Sequence, residues 1–150
     1  MQQAIQLALD NVPTGRGGPF GALVVRKGQL IATGVNLVIG TTDPTAHAEI
    51  VAIRAACQKL GAFQLTDCEL YASCEPCPMC LGAIYWARPA KFYYACNRQA
   101  ATAAGFDDAF IYEEISFAPA DRTIPGYCLL PELAARPFEA WAEAGNKIPY

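Results

Sequence analysis

Residues 68–96, CELYASCEPCPMCLGAIYWARPAKFYYAC, contain two strand patterns with a helix pattern between them. The composition of residues 68–73 is typical of a short strand, and residues 91–96 predict another. Between them an apolar helix is predicted from Cys77 through Trp86. Arg88-Pro89 must end it, because proline cannot continue a helix and disfavours the helical conformation in the residue before it. A strand, a helix and a strand in succession predict an α/β protein.

The same alternation continues on both sides of this stretch. Apolar residues at helical spacing predict a first helix over residues 4–12, which the glycines and prolines of residues 13–19 end. Asp43 is predicted to cap a helix that begins at Pro44 and ends before Gly61. The other predicted elements are strands 20–26 and 30–38 joined by a tight hairpin, helices 100–104 and 108–115, an edge strand 127–130, and a last helix 132–144 bent at Pro137. We therefore expect one domain over residues 1–150, with three α/β/α layers around a mixed five-stranded sheet.

The composition excludes several classes of protein. The chain has 150 residues, 53% hydrophobic and 17% charged, with a formal net charge of -3. So little charge argues against disorder and favours a homo-oligomer whose subunits cover part of the surface. No basic excess attracts a nucleic acid, and no apolar stretch reaches the ~20 residues of a membrane helix. With seven cysteines, one histidine and no leader of the signal-peptide kind at the N-terminus, we expect reduced thiols and a cytoplasmic protein.

The single histidine and a pair of cysteines predict a metal site. Cys77 and Cys80 are three residues apart at a predicted helix start, so both thiolates can point at one ion. His47 at the start of another helix adds one neutral nitrogen. Two sulfurs and one nitrogen suit a tetrahedral zinc ion, and three protein ligands leave one position open, as a catalytic zinc requires.

Glu49 lies two residues after His47, and side chains at that spacing diverge on a helix. We therefore expect this carboxylate to face the zinc-activated water rather than to bind the metal. In that place it can act as a general base and then as a general acid.

Two other kinds of metal site stay open at this point. Cys74 with His47, Cys77 and Cys80 would make a closed structural zinc site. The Cys-x-x-Cys-x-x-Cys run also resembles part of an iron–sulfur motif, although Leu81 and Gly82 follow it instead of the proline of such motifs. The other four cysteines are expected to be buried small side chains.

The two half-motifs together resemble a known family. His47-Ala48-Glu49 followed by Pro76-Cys77-x-x-Cys80 matches the H-x-E…P-C-x-x-C signature of the zinc-dependent nucleobase and nucleoside deaminases. Within that superfamily the chain is similar to bacterial guanine deaminases over nearly its whole length, from residues 18–22 to residues 146–150. The resemblance implies a cytidine-deaminase-like fold, one Zn²⁺ per subunit, and hydrolysis of guanine to xanthine and ammonia, with no nucleic-acid or membrane partner.

The resemblance also implies roles for individual residues. Asn36 would hydrogen-bond the base, the backbone N–H of Ala48 would meet a substrate carbonyl, and Asp108 would be a second acid that holds guanine N–H groups and assists ammonia release. Residue type alone favours a strand-end turn for Asn36 and a helix cap for Asp108, and the resemblance reverses both interpretations. Phe20 and Trp86 are candidates to stack on the purine, or else to be core aromatics.

The C-terminal segment has an expected role of its own. In the enzymes that the chain resembles, this segment is exchanged between the two subunits of a homodimer. The resemblance therefore implies exchange of residues 131–150, with Tyr150 closing the partner's site. Position alone would instead make these last residues a frayed tail.

Three competing functions remain. A tRNA adenosine deaminase or a cytosine deaminase would share the zinc motif, but 11 basic against 14 acidic residues disfavour a tRNA partner. From a different class, a non-catalytic zinc-stabilised interaction domain would keep the cysteines and have no need of Glu49.

Overall fold

The computed structural model describes residues 1–106 and 108–149, which fall into two compact units. The first is Met1–Ala109 and the second is Phe110–Tyr150. In chain order, the helices and strands of the first unit are α1 Gln2–Asn11, β1 Gly21–Arg26, β2 Gln29–Val35, α2 Val38–Thr41, α3 Ala48–Leu60, β3 Cys68–Cys74, α4 Pro78–Ala87, β4 Lys91–Cys96 and α5 Arg98–Ala103.

The sheet has four strands in the order β2-β1-β3-β4. β1 runs antiparallel to both β2 and β3, and β3 runs parallel to β4. The hairpin between β1 and β2 turns at Lys27 and Gly28, which both have positive φ, as a two-residue hairpin turn requires. The α/β class and the mixed sheet are thus confirmed.

Helices pack on both faces of this sheet. A Cβ added at Gly21 would collide with the backbone of α1, and one added at Gly34 would collide with the backbone of α3. Ala22 pairs with Gly34, so it shares the α3 face, while its neighbour Gly21 points to the other face. The main core lies between the sheet and α3 and includes Ala22, Val24, Ala52, Ala56, Leu65, Leu70, Ala72 and Ile84.

The prediction of a fifth strand is wrong. Residues 127–130 form no strand, and Leu130 has a φ of 53°, a left-handed conformation that extended backbone cannot contain. Pro125 and Pro131 flank the segment, and neither has an N–H for a sheet. The β-like composition of these residues therefore does not place them in the sheet.

The third helix starts later than predicted. Asp43 does not cap it, because Asp43 Oδ1 accepts hydrogen bonds from the backbone N–H of Thr45 at 2.8 Å and from its hydroxyl at 2.7 Å. This closes a local turn. His47 is the N-cap residue instead, with extended φ and ψ of -68° and 157°, and Gly61 ends the helix as predicted. The second strand also ends early, at Val35, and α2 follows it.

The second unit is helical in the part that the structure describes. It contains most of α6 Ala109–Ser116, then α7 Pro131–Ala134 and α8 Arg136–Glu143. The predicted last helix is thus divided at Ala135, two residues before Pro137, which cannot donate the hydrogen bond that would continue α7. Nowhere in the two described ranges is a helix long and apolar enough to cross a bilayer.

Candidate active site

Two helix N-termini bring the predicted ligands together. His47 is the N-cap of α3, and Cys77 is the N-cap of α4, whose first residue is Pro78. Cys80 lies one turn into α4 and is fully buried. The backbone N–H groups at a helix start favour negative charge nearby, so this position suits thiolates.

The three ligand atoms have the spacing that zinc requires. His47 Nδ1 lies 3.6 Å from Cys77 Sγ and 3.5 Å from Cys80 Sγ. Tetrahedral zinc with Zn–S bonds of about 2.3 Å and Zn–N bonds of about 2.0 Å separates sulfur from nitrogen by about 3.6 Å. Both sulfur–nitrogen distances therefore fit zinc, with Nδ1 as the ligand nitrogen.

The protonation of these groups explains how a dication would be held. A hydrogen bond from Cys80 lowers the pKa of Cys77 to about 4, and the same hydrogen bond raises the pKa of Cys80. The hydrogen bond with Cys77 raises the pKa of His47, against the effect of burial. The metal-free pair of thiols thus carries one negative charge, and a bound dication is what allows both to ionise.

Glu49 is a buried residue outside the metal-binding cluster of the described residues. Among the described residues, the atoms clustered for metal binding belong to His47, Cys77 and Cys80, and Glu49 is not one of them. Its side chain is 8% exposed, and this burial raises the pKa of the carboxyl. A carboxyl with a raised pKa releases and accepts protons closer to neutral pH.

The closed structural site is not supported. Cys74 does not belong to the ligand cluster found among the described residues, and its thiol donates to the carbonyl oxygen of Asn97 at 3.7 Å. The three ligands leave a tetrahedral position open, as a catalytic zinc does.

Asn36 is held rigidly just after β2. It is buried, and its Oδ1 accepts from the backbone N–H groups of Gly18 at 3.3 Å and Val38 at 3.2 Å. Its carbonyl oxygen accepts a hydrogen bond of 2.9 Å from Nδ2 of Asn11, which also donates to the Gly18 carbonyl at 2.9 Å. With Oδ1 engaged, the Nδ2 of Asn36 is the part of the amide suited to bind a substrate acceptor.

Ala48 presents a backbone N–H at a helix start, and Asp108 presents a negative charge. Ala48 is buried at the first position of α3, where the backbone N–H has no acceptor within the helix. Asp108 is half-buried, and its negative charge contributes to the raised pKa of His47. Asp108 therefore lies close enough to His47 to act on it electrostatically.

The predicted aromatic residues lie in different surroundings. Phe20 packs edge-to-face on Phe106, with ring centroids 4.9 Å apart. Both line an apolar cavity of about 460 Å³ between α1 and α5. Trp86 is 64% exposed, and it follows Cys77 by nine residues, about 13 Å along the axis of α4. Tyr150 lies outside the described residues.

Sequence reasoning missed two residues of this region. Asn11 bonds to Asn36 across 25 positions of the chain, and no local pattern reports such a contact. Phe106 could have been found from its place beside Gly105 and Asp108, within a segment that the deaminase resemblance already covers.

Comparison with known proteins agrees with this geometry. A family model described as the cytidine and deoxycytidylate deaminase zinc-binding region matches residues 1–96. Guanine deaminase of Bacillus subtilis is 54% identical over 150 residues, which are 100% of this chain and 96% of that protein. Its X-ray structure superimposes with a TM-score of 0.97, over 99% of this chain and 95% of the other.

Other relatives match less of the chain. A structure of guanine deaminase from Nitrosomonas europaea is 36% identical with a TM-score of 0.68, and the match covers 71% of this chain and 62% of that one. The tRNA-specific adenosine deaminase of Aquifex aeolicus is 43% identical over 77 residues, 51% of each protein. The sequence match to this tRNA deaminase therefore covers about half of the chain.

Proposed function

We propose that this chain, which belongs to the cytidine and deoxycytidylate deaminase family, hydrolyses guanine to xanthine and ammonia. The observation that supports guanine as the substrate is the length of chain over which the sequence matches a guanine deaminase. The 54% identity to a guanine deaminase includes residues 110–150, whereas the tRNA-specific relative is matched over 77 residues only. Residues 110–150 lie beyond the match to the family's zinc-binding region, which covers residues 1–96.

His47, Cys77 and Cys80 would hold one zinc ion per subunit. Their sulfur–nitrogen spacings support this proposal, since they match tetrahedral coordination. A bound zinc ion would lower the pKa of a water molecule and so supply a nucleophile at neutral pH. The residues around it then decide where protons go and which base fits.

Glu49 moves the protons. It takes one proton from the attacking water and delivers it to a purine ring nitrogen. It then takes the second proton from the hydroxyl added at C2 and delivers it to the amine that leaves C2. Its burial and raised pKa support both directions of transfer, because the protonated carboxyl persists long enough to act as an acid.

Asn36, Ala48 and Asp108 would orient the base. The amide NH₂ of Asn36 and the backbone N–H of Ala48 donate to acceptor atoms of guanine, and the Asp108 carboxylate accepts from its N–H groups. The rigid attachment of Asn36 supports this role, since a residue held in place loses little freedom when the substrate binds.

Phe20, Trp86 and Tyr150 would supply the flat apolar surroundings of the purine. The contact of Phe20 with Phe106 holds its ring in one orientation, which supports a stacking role. Trp86 is exposed on its own chain, so we place its contact with substrate in the assembled dimer.

The functional unit would be a cytoplasmic homodimer with exchanged C-terminal segments. Large apolar side chains of the second unit are exposed, including Ile124 at 84% and Leu129 at 80%. Such surface in one chain favours cover by another copy. The seven free cysteines support a reducing compartment.

Ammonia release, measured side by side, tests the substrate. The panel is guanine, adenine, cytosine, their nucleosides and a tRNA anticodon stem-loop. Guanine should be turned over far faster than every other compound. Preference for the stem-loop would favour the tRNA adenosine deaminase, preference for cytosine the cytosine deaminase, and zinc binding without turnover the interaction domain.

Mixed dimers test segment exchange. One protomer carries Glu49→Gln and the other lacks residues 146–150, so each homodimer is expected to be inactive. If one chain's tail closes the partner's site, mixing them restores activity, because the intact Glu49 of one protomer then meets the intact tail of the other. No recovery in verified mixed dimers would refute exchange.

A further inference from the structure

Two cysteines outside the metal ligands lie side by side at one edge of the sheet. Cys74 is the last residue of β3 and Cys96 is the last residue of β4, and the two are direct partners in the parallel register. Neighbouring strands lie about 4.8 Å apart. Disulfides span Cα separations of about 4.4 to 6.8 Å, so the backbone spacing of this pair is already suitable.

Their thiols converge on one acceptor. Cys74 Sγ donates to the carbonyl oxygen of Asn97 at 3.7 Å, and Cys96 Sγ donates to the same oxygen at 3.6 Å. Burial raises the pKa of Cys74 to about 12, and the neighbouring Cys96 thiol contributes through its hydrogen bond. The two sulfurs are therefore neighbours on the same face of the sheet.

The segments that follow the two cysteines are also tied together. The Glu75 N–H donates to the carbonyl oxygen of Cys96 at 2.8 Å, and Glu75 Oε2 accepts from the Arg98 N–H at 3.1 Å. A covalent link between Cys74 and Cys96 would hence join two strand ends that hydrogen bonds already fix.

We propose that Cys74 and Cys96 are an oxidation site, at which a small-molecule disulfide such as oxidised glutathione converts the two thiols into an intramolecular disulfide. Cys96 is exposed and reacts first. Its thiolate attacks one sulfur of the small disulfide, forms a mixed disulfide and releases one small thiolate. The Cys74 thiolate then attacks the Cys96 sulfur and releases the second.

The step is balanced. The protein loses two protons and two electrons, and the small disulfide takes up both to become two thiols. The other cysteines are less suited. Cys57 lies in α3, and the register partner of Cys68 is Arg26. Cys77 and Cys80 belong to the metal site. The exposed Cys128 belongs to the other unit.

The cysteine pair lies close in the chain to the proposed metal site. Cys74 precedes the Glu75-Pro76-Cys77 segment that leads to a metal ligand, and the charge of Glu49 contributes to the raised pKa of Cys74. The proposed disulfide would lie three residues before Cys77, and we expect the zinc ligands to stay in place. The inference is independent of which base the enzyme hydrolyses.

The test treats the zinc-loaded protein with excess oxidised glutathione and measures intact mass, zinc content and non-reducing peptide maps. Apart from glutathione added at the exposed Cys128, the wild type should lose the mass of two hydrogen atoms, yield a peptide that links Cys74 to Cys96, keep its zinc, and recover its mass with dithiothreitol. Cys74→Ser should stop at one glutathione adduct on Cys96, and Cys96→Ser should form no link. The matched control Cys128→Ser removes an exposed cysteine elsewhere and should still form the link.

Three results would overturn the proposal. One is a wild-type protein that keeps a glutathione adduct on Cys96 without closing the link. Another is a link that includes Cys77 or Cys80, together with loss of zinc. The third is no reaction in a protein whose circular dichroism shows the native fold.

Discussion

Gly34 fixes the distance between the sheet and the helix that carries His47 and Glu49. A Cβ added at this position would lie 2.5 Å from the backbone nitrogen of Ala52 and closer still to the carbonyl oxygen of Ala48. Both atoms belong to the α3 backbone, so no side chain can turn aside. Ordinary contacts of this kind begin near 3.5 Å, so Gly34→Ala must separate β2 from α3 by about 1 Å.

Separating β2 from α3 lowers both the stability of the fold and the rate of catalysis. Overpacking in a closed core typically costs about 1–3 kcal/mol, which for a chain of this length lowers the melting temperature by roughly 2–12 °C. The shift falls on the first turn of α3, where a misplacement of about 1 Å can reduce catalysis about 100-fold. We expect Gly34→Ala to fold, to melt earlier and to lose about 100-fold in kcat/KM for guanine.

Gly82→Ala is the matched control. Gly82 lies in α4, the helix that carries Cys80, and a Cβ there would have nothing within 4 Å. Alanine is the better helix former, so this variant should gain about 0.5–1 kcal/mol in stability and keep its activity. Melting curves and steady-state kinetics of both variants check the prediction. A Gly34→Ala enzyme with wild-type stability and kcat/KM would refute the reasoning.

The remaining predictions concern the site itself. Glu49→Gln should retain zinc and fold while its turnover falls by about 10²–10⁴-fold, and near-normal ammonia release would contradict the proton transfer. Metal analysis should find about one zinc per chain, and adding zinc to chelator-treated protein in weak buffer should release protons, because Cys77 and Cys80 must both ionise. Asn11→Asp replaces the donor that holds Asn36 with an acceptor, so we expect a loss of about 1–3 kcal/mol and a higher KM for guanine; an unchanged KM would show that Asn11 does not position Asn36.

The metal-binding residues could be predicted because their chemistry is local. Cys77 and Cys80 are one helical turn apart, and the chain offers a single histidine, so few combinations existed. The general α/β architecture was predictable for the same reason, since the period of apolar residues is a property of each segment.

The sequence is uninformative where contacts between distant parts of the chain determine the structure. Residues 127–130 have a strand composition, but pairing needs a partner that no local pattern reveals, and Leu130 adopts positive φ. Asn11 is a polar residue at a helix end for which the sequence offered no prediction, and it is buried and bonds to Gly18 and Asn36. In both cases the deciding contacts, made or missing, lie outside the segment.

The prediction placed the start of α3 too early because its N-cap residue, His47, is a potential metal ligand rather than a usual capping residue. Capping rules select Asp43, since aspartate is a preferred N-cap, and they pass over His47. Yet in the described chain His47 and Cys77 both occupy N-cap positions without making a side-chain capping hydrogen bond. Their side chains face each other, with His47 Nδ1 3.6 Å from Cys77 Sγ. Each helix start thus gives up the stabilisation of a capping side chain, typically about 1 kcal/mol, and presents a metal ligand there instead. Two helix starts that each present a potential metal ligand in place of a capping side chain, and that converge on one point, therefore indicate a site shaped by binding.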